Sequence, residues 1–135
     1  MNKPVAYLET SFVSFLTGWV SKNEWVAVQQ EATVRWWEKE RQKWRCVVSD
    51  TVFIEAQGGD ADAAGRRLAA LKEVESVPTT PEAVALANAL VLAHALPEKA
   101  RADAMHVALA TVHGADLLLT WNCRDISNGV MLPKI

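Results

Sequence analysis

The chain has 135 residues, half of them apolar, and a formal net charge of -2. That length suits one domain around one buried core and is too short for two. The charge excludes a protein that coats nucleic acid through bulk positive potential, although a local basic cluster or a bound cation could still bring a phosphate in. No apolar run approaches the roughly 20 residues that cross a bilayer, because His94, Asp103, His106 and Asp116 interrupt the longest ones, so no membrane association is expected. Cys46 and Cys123 have no CxxC spacing, and no basic-apolar leader pattern opens the chain. Both features point to a reduced, cytoplasmic protein.

In chain order, Val5-Ala6-Tyr7-Leu8 reads as a buried strand that ends at Glu9. Thr10 and Ser11 are good capping residues for a helix through Phe12–Leu16. Gly18–Asn23 is a loop, and Asn23 or Ser21 ahead of Glu24 starts a long helix to about Lys43. Its polar residues Glu31, Arg35, Glu38, Lys39 and Gln42 would leave Val28, Ala32 and Trp36 toward the core. Arg45–Val48 is a second strand, and Ser49-Asp50 caps a helix that carries Glu55 in its first turns and stops at Gly58-Gly59. Asp60 caps a helix to about Lys72, and Glu75–Val77 is a brief third strand. Thr80-Pro81-Glu82 joins a hydroxyl cap, a first-turn proline and an acid at the positive end of the dipole, opening a helix to near Leu96. An alanine-rich helix carrying Asp103 and closed by Gly114 follows, then a tight turn through Asp116 and the apolar strand Leu117–Leu119. Asn122–Ile126 is expected to form one helical turn, and Gly129–Ile135 has no periodicity. Short, continuously apolar strands between helices predict one α/β domain over residues 1–135, a three-layer α/β/α architecture with a central parallel sheet.

Ligands of such sheets bind beyond the carboxyl ends of the strands, where the strand order reverses. Glu9 and Asn122 become neighbours there if the first and last strands are adjacent. Glu55 and Asp103, near helix starts, would point into the same crevice. Three carboxylates so placed repel one another unless a cation neutralises them. Oxygen ligands select Mg2+ or Mn2+ over zinc, and hydrolysis of a phosphodiester is the chemistry such a site favours.

Tyr7-Leu8-Glu9-Thr10-Ser11, Glu55, the run Lys99-Ala100-Arg101-Ala102-Asp103-Ala104-Met105-His106-Val107-Ala108 and Leu118-Leu119-Thr120-Trp121-Asn122-Cys123-Arg124 together resemble the PIN-domain ribonucleases. The resemblance covers nearly the whole chain and is nearest to the bacterial and archaeal branch that supplies toxins of type II toxin-antitoxin pairs. It implies a metal-dependent endoribonuclease acting on RNA, with Mg2+ or Mn2+ held by Glu9, Glu55 and Asp103. Asn122 would complete the catalytic set by orienting the attacking water, while Thr10, Ser11 and Thr120 would hold the ligands. It further implies a homodimer and an antitoxin whose tail covers the site. Glu9 stands where that family usually has aspartate, which displaces the carboxylate by about one carbon-carbon bond. Relatives usually continue into a further edge strand, so the chain is expected to be shortened at its carboxyl end. The competing expectation is a PIN-like protein that binds RNA or a partner without cutting.

Two further residues stand beside this set. His106 shares a helix face with Asp103 and would contact a phosphate or simply pack, and Arg101 is placed to meet the RNA backbone. Among the six tryptophans, Trp36 and Trp37 are adjacent, so one of them is expected at a surface, as a contact anchor.

Overall fold

The computed structural model describes residues 2–93 and 101–122. The elements run β1 (Val5–Leu8), α1 (Thr10–Thr17), α2 (Glu24–Glu40), β2 (Arg45–Ser49), α3 (Asp50–Ala56), α4 (Ala61–Leu71), β3 (Glu75–Val77), α5 (Pro81–Leu92), α6 (Arg101–Val112) and β4 (Leu117–Leu119). The four strands form one parallel sheet in the order β3-β2-β1-β4, with Tyr7 opposite both Val47 and Leu118. Strand order therefore reverses between β1 and β4, which puts the switch point beside Leu8 and Leu119. Helices α1 to α4 pack among themselves and α5 packs on α6, giving the expected three-layer α/β/α arrangement.

Local chemistry accounts for most element ends. The side chains of Asn23, Ser49, Asp60 and Thr80 each accept a backbone N–H at the start of α2, α3, α4 and α5. Gly114 takes φ +71 after α6, a conformation that costs glycine little. The backbone N–H of Asp116 then donates to the Val5 carbonyl at 2.8 Å, and its carboxylate accepts the Val5 N–H at 2.8 Å. This double contact fixes where β4 enters the sheet beside β1.

Adjacent residues Val47 and Val48 are both buried, as a strand covered on both faces requires. Helix α6 is buried at every position from His106 to Ala110, and its alanines allow close approach to α5 and the sheet. No helix among the described residues is long and apolar enough to cross a membrane.

Several sequence expectations need correction. The N-cap of α1 is Glu9, without a side-chain cap, so Thr10 and Ser11 lie inside the first turn with hydroxyls directed elsewhere. Helix α2 ends at Glu40, and residues 41–43 tighten into a 3-10 turn. Its buried position is Thr33; Ala32 is exposed, as is Val28 at 58%. A threonine can occupy that position because its hydroxyl donates to the Gln29 carbonyl (2.8 Å) and accepts from the Trp121 indole (2.7 Å). Trp36 and Trp37 both pack on Phe12, with ring centroids 5.7 and 6.5 Å away, because large rings about 100° apart on a helix can reach one shared neighbour. The exposed tryptophans are Trp19 (75%) and Trp25 (70%). The expected helical turn beyond Asn122, the carboxyl-terminal segment and the end of the helix toward Leu96 lie outside the described residues.

Candidate metal centre

Glu9 leaves β1 at the switch point, and its backbone N–H donates to Leu119 O at 3.0 Å, so the ends of β1 and β4 stay together. The side chain is 7% exposed. Its Oε1 accepts the hydroxyls of Ser11 and, at 2.6 Å, Thr120. Those same hydroxyl oxygens accept backbone N–H groups of the loop after β4: Ser11 from Trp121 at 2.8 Å, Thr120 from Asn122 at 2.9 Å. One carboxylate thus ties the start of α1 to the end of β4.

Glu55 lies in the second turn of α3, which starts directly from β2. Its Oε1 likewise takes two contacts, from the Thr10 hydroxyl and, at 2.7 Å, from His106 Nε2. In both glutamates Oε2 has no hydrogen-bond donor among the described residues. Glu9 Oε2 stands 4.0 Å from His106 Nε2, and Glu9, Glu55 and His106 each present a ligand atom within 4.8 Å of the others. Burial pushes the Glu55 carboxyl up, but the hydrogen bond and electrostatic attraction of His106 and the Thr10 hydroxyl outweigh it and hold the group below the ordinary glutamate value.

His106 is fully buried, and its Nδ1 meets the Tyr7 hydroxyl at 2.8 Å. Tyr7 in turn meets Ser49 Oγ at 2.8 Å. Burial, ahead of any other influence, raises the Tyr7 phenol far above its usual value, so it stays protonated.

Two ionisable carboxylates this close, with the His106 imidazole as their shared neighbour among the described residues, form an electrostatically unfinished site. The donor set fits a small divalent cation. The imidazole nitrogen of His106 stands beside these oxygens and meets one of them at hydrogen-bonding distance. Among the residues expected at the site, the structure joins Glu9, Glu55, Thr10, Ser11, Thr120 and His106 in one network. Asp103 is half-buried in the first turn of α6, on the same face as His106 and outside the tight group. Asn122 is half-buried immediately past β4, held through its backbone. Arg101, at the start of α6, is exposed and donates to the Asn88 side chain on α5. Sequence reading missed Tyr7 and Ser49. The available signal was a tyrosine in an aliphatic strand, since a buried phenol needs a partner.

No protein-family model matches the sequence, and no curated protein matches it. Solved structures do. VapC20 of Mycobacterium tuberculosis, a sarcin-ricin loop cleaving toxin, superposes with a TM-score of 0.72 at 16% identity over 93% of this chain and 95% of its own. VapBC2 of Rickettsia felis, solved bound to a DNA fragment from its promoter, gives 0.67 at 14% identity over 92% of each chain. The fold is therefore the PIN-like fold of these toxin structures.

Proposed function

We propose that the chain is a Mg2+- or Mn2+-dependent endoribonuclease that serves as the toxin of a toxin-antitoxin pair. The observation that carries this reading is the Glu9–Glu55 pair at the switch point, each glutamate held through Oε1 and with no donor on Oε2 among the described residues. Such an arrangement suits cation binding, because two carboxylates brought this close repel each other unless a cation neutralises them. In this reading the Oε2 atoms of Glu9 and Glu55 would hold the ion, and Asp103 would add a third carboxylate from α6. Thr10, Ser11 and Thr120 keep the two glutamates from turning, and Asn122 orients the attacking water. The bound cation would neutralise these acids, draw in an RNA phosphodiester and polarise it toward attack.

The toxin role is supported by the shared fold with VapC20, which cleaves the sarcin-ricin loop, and with VapBC2. An antitoxin partner, a homodimer and a cytoplasmic location accompany it. The test is cleavage of RNA by the purified chain with Mg2+ or Mn2+, with chelator and Asp103→Asn as controls. Metal-dependent cleavage lost in the variant is the expected result. Cleavage that persists in chelator, or is indifferent to the substitution, would overturn the mechanism. RNA or partner binding without cleavage would replace it with a binding module.

A further inference from the structure

The buried series Ser49, Tyr7, His106 enters the reading above only through the contact of His106 with Glu55, and its hydrogens can be placed one at a time. Ser49 Oγ accepts the Val52 N–H at 3.3 Å, so the hydroxyl has its own proton still to donate. Its remaining hydrogen-bonding neighbour among the described residues is the Tyr7 hydroxyl at 2.8 Å, on a side chain that is 0% exposed, as Ser49 is too. If Ser49 donates to Tyr7, the phenolic proton goes to His106 Nδ1, the other atom at 2.8 Å. Nδ1 is then an acceptor, the single ring proton sits on Nε2, and it points at Glu55 Oε1, 2.7 Å away.

The reverse assignment fails on two counts. A proton on Nδ1 would turn the phenolic proton onto Ser49, whose own proton would then lack an acceptor among the described residues in a site without water access. Moving the ring's one proton to Nδ1 would also set the Nε2 lone pair against the Glu55 carboxylate at hydrogen-bonding distance, where two acceptors repel. A doubly protonated ring leaves Ser49 in the same position.

We propose that Tyr7 and Ser49 are positioning residues that lock His106 in the Nε2–H tautomer, and that His106 thereby pins Glu55 through Oε1 and leaves Oε2 for the cation. The last step rests on Glu55 being a cation ligand; the tautomer does not. The series links the ends of β1 and β2 to α6 and α3, so the orientation of an acid at the rim is set from inside the core. Outer partners of this kind typically change metal affinity by roughly 10–100-fold.

The experiment uses the full chain labelled with 15N. Long-range 1H–15N correlation in chelator reads the protonation of each imidazole nitrogen, with His106→Gln assigning the signals. The expected result is a proton on Nε2 and none on Nδ1 of His106, a preference that Tyr7→Phe weakens to a measurable mixture of tautomers, since Glu55 alone then holds the Nε2 proton. Mn2+ titration then gives binding roughly 10-fold or more weaker in Tyr7→Phe and His106→Leu. His106→Gln, which keeps an N–H donor for Glu55, retains affinity nearer the wild type. Because His106→Leu opens a mismatch in the core, its folding is checked by near-ultraviolet circular dichroism, and Tyr7→Phe carries the test if it unfolds. A proton on Nδ1, or a Tyr7→Phe variant with unchanged tautomer and unchanged Mn2+ affinity, overturns the proposal. A wild-type chain that shows the Nε2–H tautomer but binds no Mn2+ overturns the cation reading and leaves the tautomer assignment standing.

Discussion

Replacing Glu9 by aspartate tests whether the extra methylene is built into the site. Shortening the side chain withdraws the carboxylate by about 1.5 Å. The 2.6 Å contact from Thr120 would then open to about 4 Å, beyond hydrogen-bonding range. The Ser11 contact is local to the same turn and can follow. A hydrogen bond to a charged group is worth roughly 1.5–3 kcal/mol, and a side chain only 7% exposed has little water to replace it. Against this, the Glu9 and Glu55 ligand atoms lie within 4.8 Å, and retreat relieves about 1 kcal/mol of repulsion at an effective dielectric near 20. The net loss is about 0.5–2 kcal/mol, a fall in Tm of about 2–10 °C for a domain of this size. Thermal melts in chelator measure it, and a Thr120→Val background identifies the contact, since Glu9→Asp should cost less once the Thr120 hydroxyl is gone. Glu9→Asp as stable as wild type, or with the same cost in both backgrounds, would refute the claim that the length of Glu9 is matched to Thr120.

Three other expectations follow from single contacts. Because Glu55 is held below the ordinary glutamate value, its contribution to stability is complete above the unfolded-state pKa of about 4.3 and is lost as pH falls through the lower folded value. Glu55→Gln should flatten that acid limb in urea unfolding followed from pH 7 downward, and an unchanged limb would show that other groups carry it. Thr33→Val leaves the Trp121 indole N–H without its acceptor and should cost about 1–2 kcal/mol, with a shift of the Trp121 indole resonance; an unmoved resonance would refute the contact. Leu109→Ala, at a fully buried position of α6, should lower stability by about 2–5 kcal/mol in denaturant titration while leaving Mn2+ affinity intact, and a cost under 1 kcal/mol would mean that the site collapses around the gap.

Caps and strands were legible because their causes are local. Asn23, Ser49, Asp60 and Thr80 cap helices through groups two or three residues away, and short apolar runs between helices admit little but a parallel sheet covered on both faces. The placement of Glu9 and Glu55 at one rim was likewise accessible, since both follow strands that end at the same side of the sheet. Helix α2 was harder. Its apolar residues are spread around the axis, and only the indole of Trp121, 88 positions away, makes buried Thr33 sensible.

The sequence by itself determined the element order, the fold class and the carboxylates available at the switch point, because strand periodicity, capping and topology depend on residue type and spacing. Only the tertiary structure decided what those acids touch. The hydroxyls of Thr10 and Ser11 offer a helix cap and a carboxylate equally well in sequence, and it is the approach of Glu55, 45 positions on from Thr10, and of Thr120 that selects the second use. His106 changed in the same way from a packing residue to the group that holds Glu55, since Tyr7 reaches its other nitrogen across 99 positions of chain and is itself met by Ser49 across 42. Hydrogen-bond direction in a buried site is a property of the closed network, and no single segment of the chain contains it.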